Sequence, residues 1–432
     1  MAGPASLILI SVFAFMALLG VPLAVSLVAA SLAAVTLVVP LDMALFTAAQ
    51  KMMGSLDSFS LLAVPFFILS GVMMNSGGIA IRLVNFAKLI AGRVPGSLAQ
   101  TNIAGNMLFG SISGSAIAAS TSIGGVLVPM QVRDGYDRGF AAAVNIASAP
   151  TGMLIPPTTA FIIYSLVSGG TSVAALFMAG GVAGLIWGLG MTAMSIVIAK
   201  RRGYPIEPRP TLREAWDTTL AAIPSLLLIV IVIGGIMGGI FTAVEASGIA
   251  VLYTLLMTFA IHRTVPLSRL PGFLVETAQI TGTIMLLLAA SAALSFAMAF
   301  TGIPAAITDL IFAISSEPVI VLLIINVILI FVGCFMDIGP AILIFTPIML
   351  PITNQIGVDP IHFGVVLVFN LAIGTITPPV GTGLFVGASV AQVRVETAIK
   401  ALLPFYALLI GFLMLVTYVP ALTLFLPRML GL

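Results

Sequence analysis

No charged side chain precedes Asp42, and the uncharged run from Met1 to Leu41 is longer than a water-soluble core accommodates. About 20 apolar residues carry a helix across about 30 Å of hydrocarbon. The run is therefore read as two crossings hinged near Gly20 and Pro22. The rest of the chain keeps that character: 60% of residues are hydrophobic and 7% charged, against about 25% charged in soluble domains. No single core hides so much apolar surface from water, so the chain is expected to be an all-α polytopic membrane protein lying in lipid. The net charge of +2, with basic residues in short clusters, offers no surface for nucleic acid. Cys334 is the only cysteine, which excludes an intrachain disulfide and a thiolate metal cage. The first basic side chain is Lys51, so the start reads as a mature membrane helix rather than a cleavable signal.

Similar runs place spans near 59–76, 172–199, 218–240, 246–262, 276–301 and 402–426. Four intervening segments do not read as ordinary spans. Residues 98–131 are broken by Gly110, Ser111, Ser113, Gly114 and Ser115, and residues 318–353 by Gly333, Asp337, Gly339 and Pro340. Each is predicted to be a re-entrant hairpin. Residues 139–169 and 361–391 are interrupted by Pro156-Pro157 and Pro378-Pro379, which remove two backbone donors apiece in mid-membrane. Each is predicted to be a broken helix. With the densest basic loop, Lys200 to Arg213, placed in the cytoplasm, all 16 Lys and Arg residues except Lys51 and Arg428 fall on that side. Both termini then lie outside. A hairpin misread as a crossing would scatter the charges, so their asymmetry supports both re-entrant segments.

The order span, hairpin, broken helix, span runs from 59 to 199 and again from 276 to 426, with Gly152-Met-Leu-Ile-Pro156-Pro157 recurring as Gly374-Thr-Ile-Thr-Pro378-Pro379. The two copies begin on opposite sides of the membrane and are inverted repeats, the architecture of secondary transporters with a solute site near the midplane. Residues 1–58 are accordingly expected to be scaffold, 59–199 a first transport repeat, 200–275 a cytoplasmic loop with further scaffold helices, and 276–432 a second transport repeat. Unpaired backbone in hydrocarbon costs several kcal/mol per group, so such breaks survive only where protein, water or a ligand satisfies them. Freed carbonyls and hydroxyls suit a hard cation such as Na+, and half-helix N-termini suit an anion. The first tip offers Ser111, Ser113 and Ser115 opposite Ser148 to Pro157, and the second offers Asp337 opposite Gly374 to Pro379. An acid between apolar runs is a functional candidate by default. Thr158, Thr159 and Thr382 follow the breaks and are candidates to hydrogen-bond a solute, with packing as the competing role.

At these residues the chain resembles the large membrane subunit of tripartite ATP-independent periplasmic (TRAP) transporters. The resemblance rests on Leu-Leu-Ala-Val-Pro-Phe-Phe-Ile-Leu-Ser-Gly at 61–71, Gly-Ser-Ile-Ser-Gly-Ser-Ala at 110–116, Gly-Tyr at 135–136 and Ile-Pro-Pro at 155–157. It continues through Phe-Thr-Ala-Val-Glu-Ala at 241–246, Met-Asp at 336–337, Gly-Val-Asp-Pro-Ile-His-Phe-Gly at 357–364 and Thr-Pro-Pro-Val-Gly at 377–381. It implies an elevator-type, sodium-driven importer of organic acid anions in the bacterial inner membrane. The same resemblance implies a periplasmic solute-binding protein (P subunit) that delivers the solute and a small membrane (Q) subunit beside this chain. It maps a first sodium region onto Ser113, Gly114, Ser115 and Ala149 to Gly152, and a second onto Asp337, Gly374, Thr377 and Pro378. Many members carry an Asp soon after the first tip, where this chain has Ala118-Ala119-Ser120-Thr121.

Competing functions are weighed on the same residues. No Gly-x-x-x-x-Gly-Lys-[Ser/Thr] loop is present to hydrolyse ATP and no His-Glu-x-x-His to hold a catalytic zinc, so a gradient-driven carrier is favoured over an enzyme. A carrier acting without a binding protein and a passive anion channel are the alternatives. Two sodium ions are expected to organise the tips, with C4-dicarboxylates, keto acids and sugar acids such as sialic acid all compatible as solute. His262 and His362 are read as interfacial residues, and Gly180, Gly184, Gly188, Gly234 and Gly238 as helix-packing faces.

Overall fold

The computed structural model describes all residues except 1, 77–78, 93, 207–210 and 264. Arg93 and Arg209, counted above with the inner basic residues, lie outside the described residues. The chain is helical, and the described residues contain no strand. Ala2–Leu18 and Leu23–Val35 pack on each other across a turn at Gly20, whose φ of +76° only glycine adopts freely. At 13 residues the second of these spans only about 20 Å, short of a full crossing. Leu41–Leu56 then bends by 62° into the helix ending near Asn75. Seven described helices are long and apolar enough to cross a membrane, which makes the protein multi-pass.

The first predicted hairpin consists of Ser97–Ser113 and Ala116–Arg133, and the second of Pro318–Phe335 and Ile338–Gln355. The arms of the second pair are themselves apolar enough to span, so length alone does not make them re-entrant. Their depth is set instead by what the turn touches, described below. The first broken segment runs as Arg138–Ser148, a 3-10 turn Ala149–Met153, and Thr159–Val167. The second runs as Pro360–Gly374 and Thr382–Ala391. Gly139 to Met153 and His362 to Gly374 are buried at every position. The interrupted helices thus form the centre of the protein, where neighbouring protein rather than lipid meets their freed backbone groups.

The two halves interlock crosswise. The outgoing arm of the first hairpin, Ala116–Arg133, packs on Thr382–Ala391 of the second broken segment, while Ile338–Gln355 packs on Thr159–Val167 of the first. The long spans that follow the breaks, Val173–Arg202 and Val395–Tyr418, cross each other, and each also lies against the other half's broken helix. Gly180, Gly184 and Gly188 do form a packing face: a β-carbon there would fall within 2.5 Å of Phe161, Ile155 and Met107 respectively. Gly234 instead faces open space. His362 is buried rather than interfacial, its ring held by Thr423 Oγ1 at 2.7 Å and by the Thr417 carbonyl at 3.1 Å.

Candidate functional site

In each half one glycine of the incoming hairpin arm lies backbone to backbone against the glycine before the double proline. A β-carbon on Gly152 would stand 2.3 Å from the Gly110 Cα, and one on Gly374 would stand 2.5 Å from the Gly333 Cα. Real carbon contacts lie near 3.5–4.0 Å, so only glycine permits either approach. The contact brings each hairpin turn to the level of the break in its partner helix.

Buried amides hold the same pairs together. Asn106 Nδ2 donates to Asn102 Oδ1 at 2.8 Å, Ser148 Oγ at 2.8 Å and Asn145 Oδ1 at 3.2 Å. Asn145 Nδ2 donates onward to the Ser120 hydroxyl and carbonyl at 2.9 and 3.0 Å, so one side chain bridges both arms of the first hairpin. In the second half Asn370 Nδ2 donates to Asn326 Oδ1 at 2.8 Å, and Asn326 Nδ2 donates to Thr417 Oγ1 at 3.0 Å. An aromatic side chain from the following span also anchors each break. Trp187 Nε1 donates to the Ala147 carbonyl at 2.8 Å, and Tyr406 OH donates to the Ile376 carbonyl at 2.5 Å. Sequence reasoning found the glycines individually and missed the asparagines, whose signal was an amide in an apolar run near the break in both halves.

The first tip turns through Gly114, at φ +62°, whose N–H returns to the Gly110 carbonyl at 2.7 Å. Ser115 caps the outgoing arm by accepting from the Ala118 N–H at 3.3 Å, Ser113 Oγ reaches the Ser115 carbonyl at 3.5 Å, and Ser111 Oγ donates into its own helix at Leu108. Ser113, Gly114 and Ser115 are half-buried, whereas Ser111 is fully buried. A β-carbon on Gly114 would lie in ordinary contact with Thr158 and Thr159, which places the first tip against the N-terminus of Thr159–Val167. Thr158 caps that helix by accepting from the Ala160 N–H at 3.2 Å, and Thr159 stays half-buried beside the tip. Ala149 and Gly152 sit in the buried 3-10 turn behind it.

At the second tip Asp337 occupies the N-cap position of Ile338–Gln355, makes no capping bond with its side chain, and is exposed. The Gly381 N–H donates to the Cys334 carbonyl at 2.8 Å, tying the turn to the start of Thr382–Ala391. The Gly383 N–H closes onto the Thr375 carbonyl at 2.8 Å, and Thr377 Oγ1 donates to the Ile373 carbonyl at 2.7 Å. Thr377, Pro378 and Thr382 are half-buried, and Gly374 is buried. Both Pro156-Pro157 and Pro378-Pro379 are cis. The predicted residues therefore gather as two like clusters, one in each half.

Four half-helices begin at these clusters: Ala116–Arg133, Thr159–Val167, Ile338–Gln355 and Thr382–Ala391. Each begins with its positive dipole end at a cluster, a field suited to an anion, although Ser115, Thr158 and the Thr375 carbonyl already accept first-turn N–H groups of three of them. Carbonyls and hydroxyls at the same turns, with the carboxylate of Asp337, suit a hard monovalent cation. Among the described residues no three His, Cys, Asp or Glu side chains converge, so any ion here meets mainly neutral oxygens. Phe241 to Ala246, part of the sequence resemblance, has a local job: Thr242 and Glu245 exchange the two hydrogen bonds of a capping box at the start of Ala243–Leu255.

Comparison with known proteins agrees with this geometry. Residues 9–422 match the family described as the DctM component of tripartite ATP-independent periplasmic transporters. The isethionate TRAP transporter permease protein DctMQ of Oleidesulfovibrio alaskensis is 38% identical over 97% of this chain and 66% of its own length. The sialic acid TRAP transporter large permease protein SiaM of Vibrio cholerae is 37% identical over 97% of this chain and 98% of its own. In fold, the chain is similar to the crystal structure of the Alcanivorax borkumensis YdaH transporter, with a TM-score of 0.64 at 14% identity over 86% of this chain and 87% of that one. The chain belongs to the DctM family and is accordingly a multi-pass transporter component of the bacterial inner membrane, not an enzyme.

Proposed function

We propose that this chain is the large permease subunit of a sodium-coupled importer of organic acid anions, working with a small membrane subunit and a periplasmic solute-binding protein. The observation that carries the reading is the duplicated tip: in each half, a hairpin turn and a helix break are locked by a glycine–glycine contact, with half-helix N-termini and free oxygens beside them. Sodium at Ser113, Gly114, Ser115, Ala149 and Gly152, and at Asp337, Gly374, Thr377 and Pro378, would draw each turn onto its break. Ser111, Ser113, Thr158, Thr159, Asp337 and Thr382 would then line the solute space between them. Binding the cation thereby stabilises the arrangement that binds the anion, and each ligand raises the affinity for the other by the same factor.

The two tip-bearing repeats, 59–199 and 276–432, would move together as an elevator against a scaffold of residues 1–58 and the helices within 200–275. The crosswise packing of the hairpins and broken helices supports their motion as one body, whereas the spans Ala63–Ser76 and Leu270–Thr301 that open the repeats pack on the helices assigned to the scaffold. The solute class rests on the relatives, one named for a sulfonate and one for a sugar acid. Proteoliposomes holding the assembled transporter, supplied with binding protein and labelled isethionate, N-acetylneuraminate or succinate, test the proposal. Saturable uptake of one of these anions that requires an inward sodium gradient is expected. Uptake that is equal in choline chloride refutes the coupling, and uptake that never saturates refutes the carrier.

A further inference from the structure

A cavity lies away from the tips. A cleft of about 870 Å³, within the usual range for small-molecule sites, opens between Leu41–Leu56 and the outer part of Leu270–Thr301. Its other walls include Leu166 and Val167, the last residues of a broken segment that starts at Arg138, and Phe300, near the end of a span that starts beside Arg269. The cleft thus lies at the ends of these elements remote from the basic residues that the charge asymmetry assigns to the inside, and on that assignment it faces outward.

One charged residue lines it, Lys51. Lys51 and Arg428 are the two basic residues that the charge asymmetry leaves outside, and Arg428 is occupied by Asp359 at 4.0 Å. Lys51 is exposed and has no hydrogen-bond or ion-pair partner among the described residues. Gln50 and Ser58 on its side of the cleft and Ser295 on the facing span likewise carry polar groups without partners among the described residues. A cation with hydrogen-bonding groups around it and no acid in the lining attracts anions to the cleft, even with the exposed Asp57 at the end of the same helix between the lining residues Ser55 and Ser58.

We infer that this cleft is an outer anion station, in which Lys51 holds the acid group of an incoming organic anion before it reaches the tips. The inference deepens the proposed importer and rests on it for direction, while its physical content, a positive cleft open to the outside, is tested without transport. Cys334 is replaced by Ala, and Ser55→Cys or Ser295→Cys is introduced in right-side-out vesicles holding the assembled transporter. Each thiol is treated from outside with an anionic sulfonatoethyl and a cationic trimethylammonioethyl methanethiosulfonate. Ser55 stands one helical turn from Lys51, at a β-carbon separation of about 6 Å. One charge at that distance in water changes the local concentration of each reagent about threefold, in opposite senses. Lys51→Gln is therefore expected to lower the anionic-to-cationic rate ratio at Ser55→Cys by about tenfold at low salt, and about 1 M salt is expected to erase the difference. A ratio that Lys51→Gln leaves unchanged, or failure of either thiol to react from outside, overturns the inference. Sodium-independent uptake would refute the coupling but leave this ratio as expected, so the two readings fail separately.

Discussion

Gly152→Ala tests whether the contact between hairpin and break is what builds the site. Its β-carbon would lie 2.3 Å from the Gly110 Cα and 2.4 Å from the Gly110 carbonyl carbon, atoms of a backbone that has no rotamer with which to yield. Reaching an ordinary carbon separation requires the two segments to part by about 1.2 Å or more. Gly110 also accepts the 2.7 Å hydrogen bond that closes the first tip at Gly114, so its displacement moves the tip itself. Overpacking typically costs about 1–3 kcal/mol, and with backbone on both sides the upper end, about 3 kcal/mol, is expected. The assay is thermal unfolding of the purified protein in detergent, in sodium chloride and in choline chloride. A ligand that binds the folded state alone at 100 times its Kd adds about 2.7 kcal/mol, so wild type is expected to melt higher in sodium. Gly152→Ala is expected to lower the melting temperature in choline and to lose the sodium increment. Gly248→Ala, in a helix with open space around the position, serves as the control and is expected to be neutral or stabilising. A Gly152→Ala protein with the wild-type melting temperature and sodium increment would refute the reasoning, and Gly374→Ala asks the same of the other half.

Asp337→Asn keeps the shape of the second tip and removes its charge, so membrane insertion is expected to persist while sodium no longer raises the melting temperature; an undiminished sodium increment would remove Asp337 from the site. Trp187→Phe deletes the 2.8 Å bond to the Ala147 carbonyl and leaves that carbonyl without its donor, with an expected loss of about 1–2 kcal/mol by chemical denaturation. Thr242→Ala breaks the capping box of Ala243–Leu255 far from the tips, with an expected loss of about 1 kcal/mol in stability and an intact sodium increment.

What was legible in the chain follows from what is local. The double prolines forbid a continuous helix and Gly114 marks a turn that only glycine makes cheaply, so the broken helices and the first tip could be read in advance. Pro129, Pro347 and Pro351 show the limit of that reading, because they sit inside hairpin arms without ending them. A single proline costs one donor that a neighbour replaces; the double prolines also follow glycines whose backbone is taken up by another segment. Pairing of that kind is tertiary. Nothing near Gly110 in sequence names Gly152 as its partner, and nothing near Asn145 names Ser120.

The contacts that sequence could not pair are also those that explain why breaks in the membrane are stable in both halves. Each break is met from three directions, by a glycine of the hairpin arm, by a buried asparagine bridge, and by an aromatic donor from the span that follows. The donors reach carbonyls beside the breaks, at Ala147 and Ile376, while the hairpin-tip residues Ser113, Gly114 and Ser115 stay half-buried and Asp337 exposed. The fold thus satisfies the backbone behind each tip with protein, while at the front those three residues stay half-buried and the Asp337 side chain makes no capping bond. If every freed group were met by protein, the site would have no affinity left for an ion; if none were, the break would cost several kcal/mol per group in the absence of solute. Division of the break into a satisfied back and an open front is therefore the condition under which such a segment is both stable when empty and responsive when loaded.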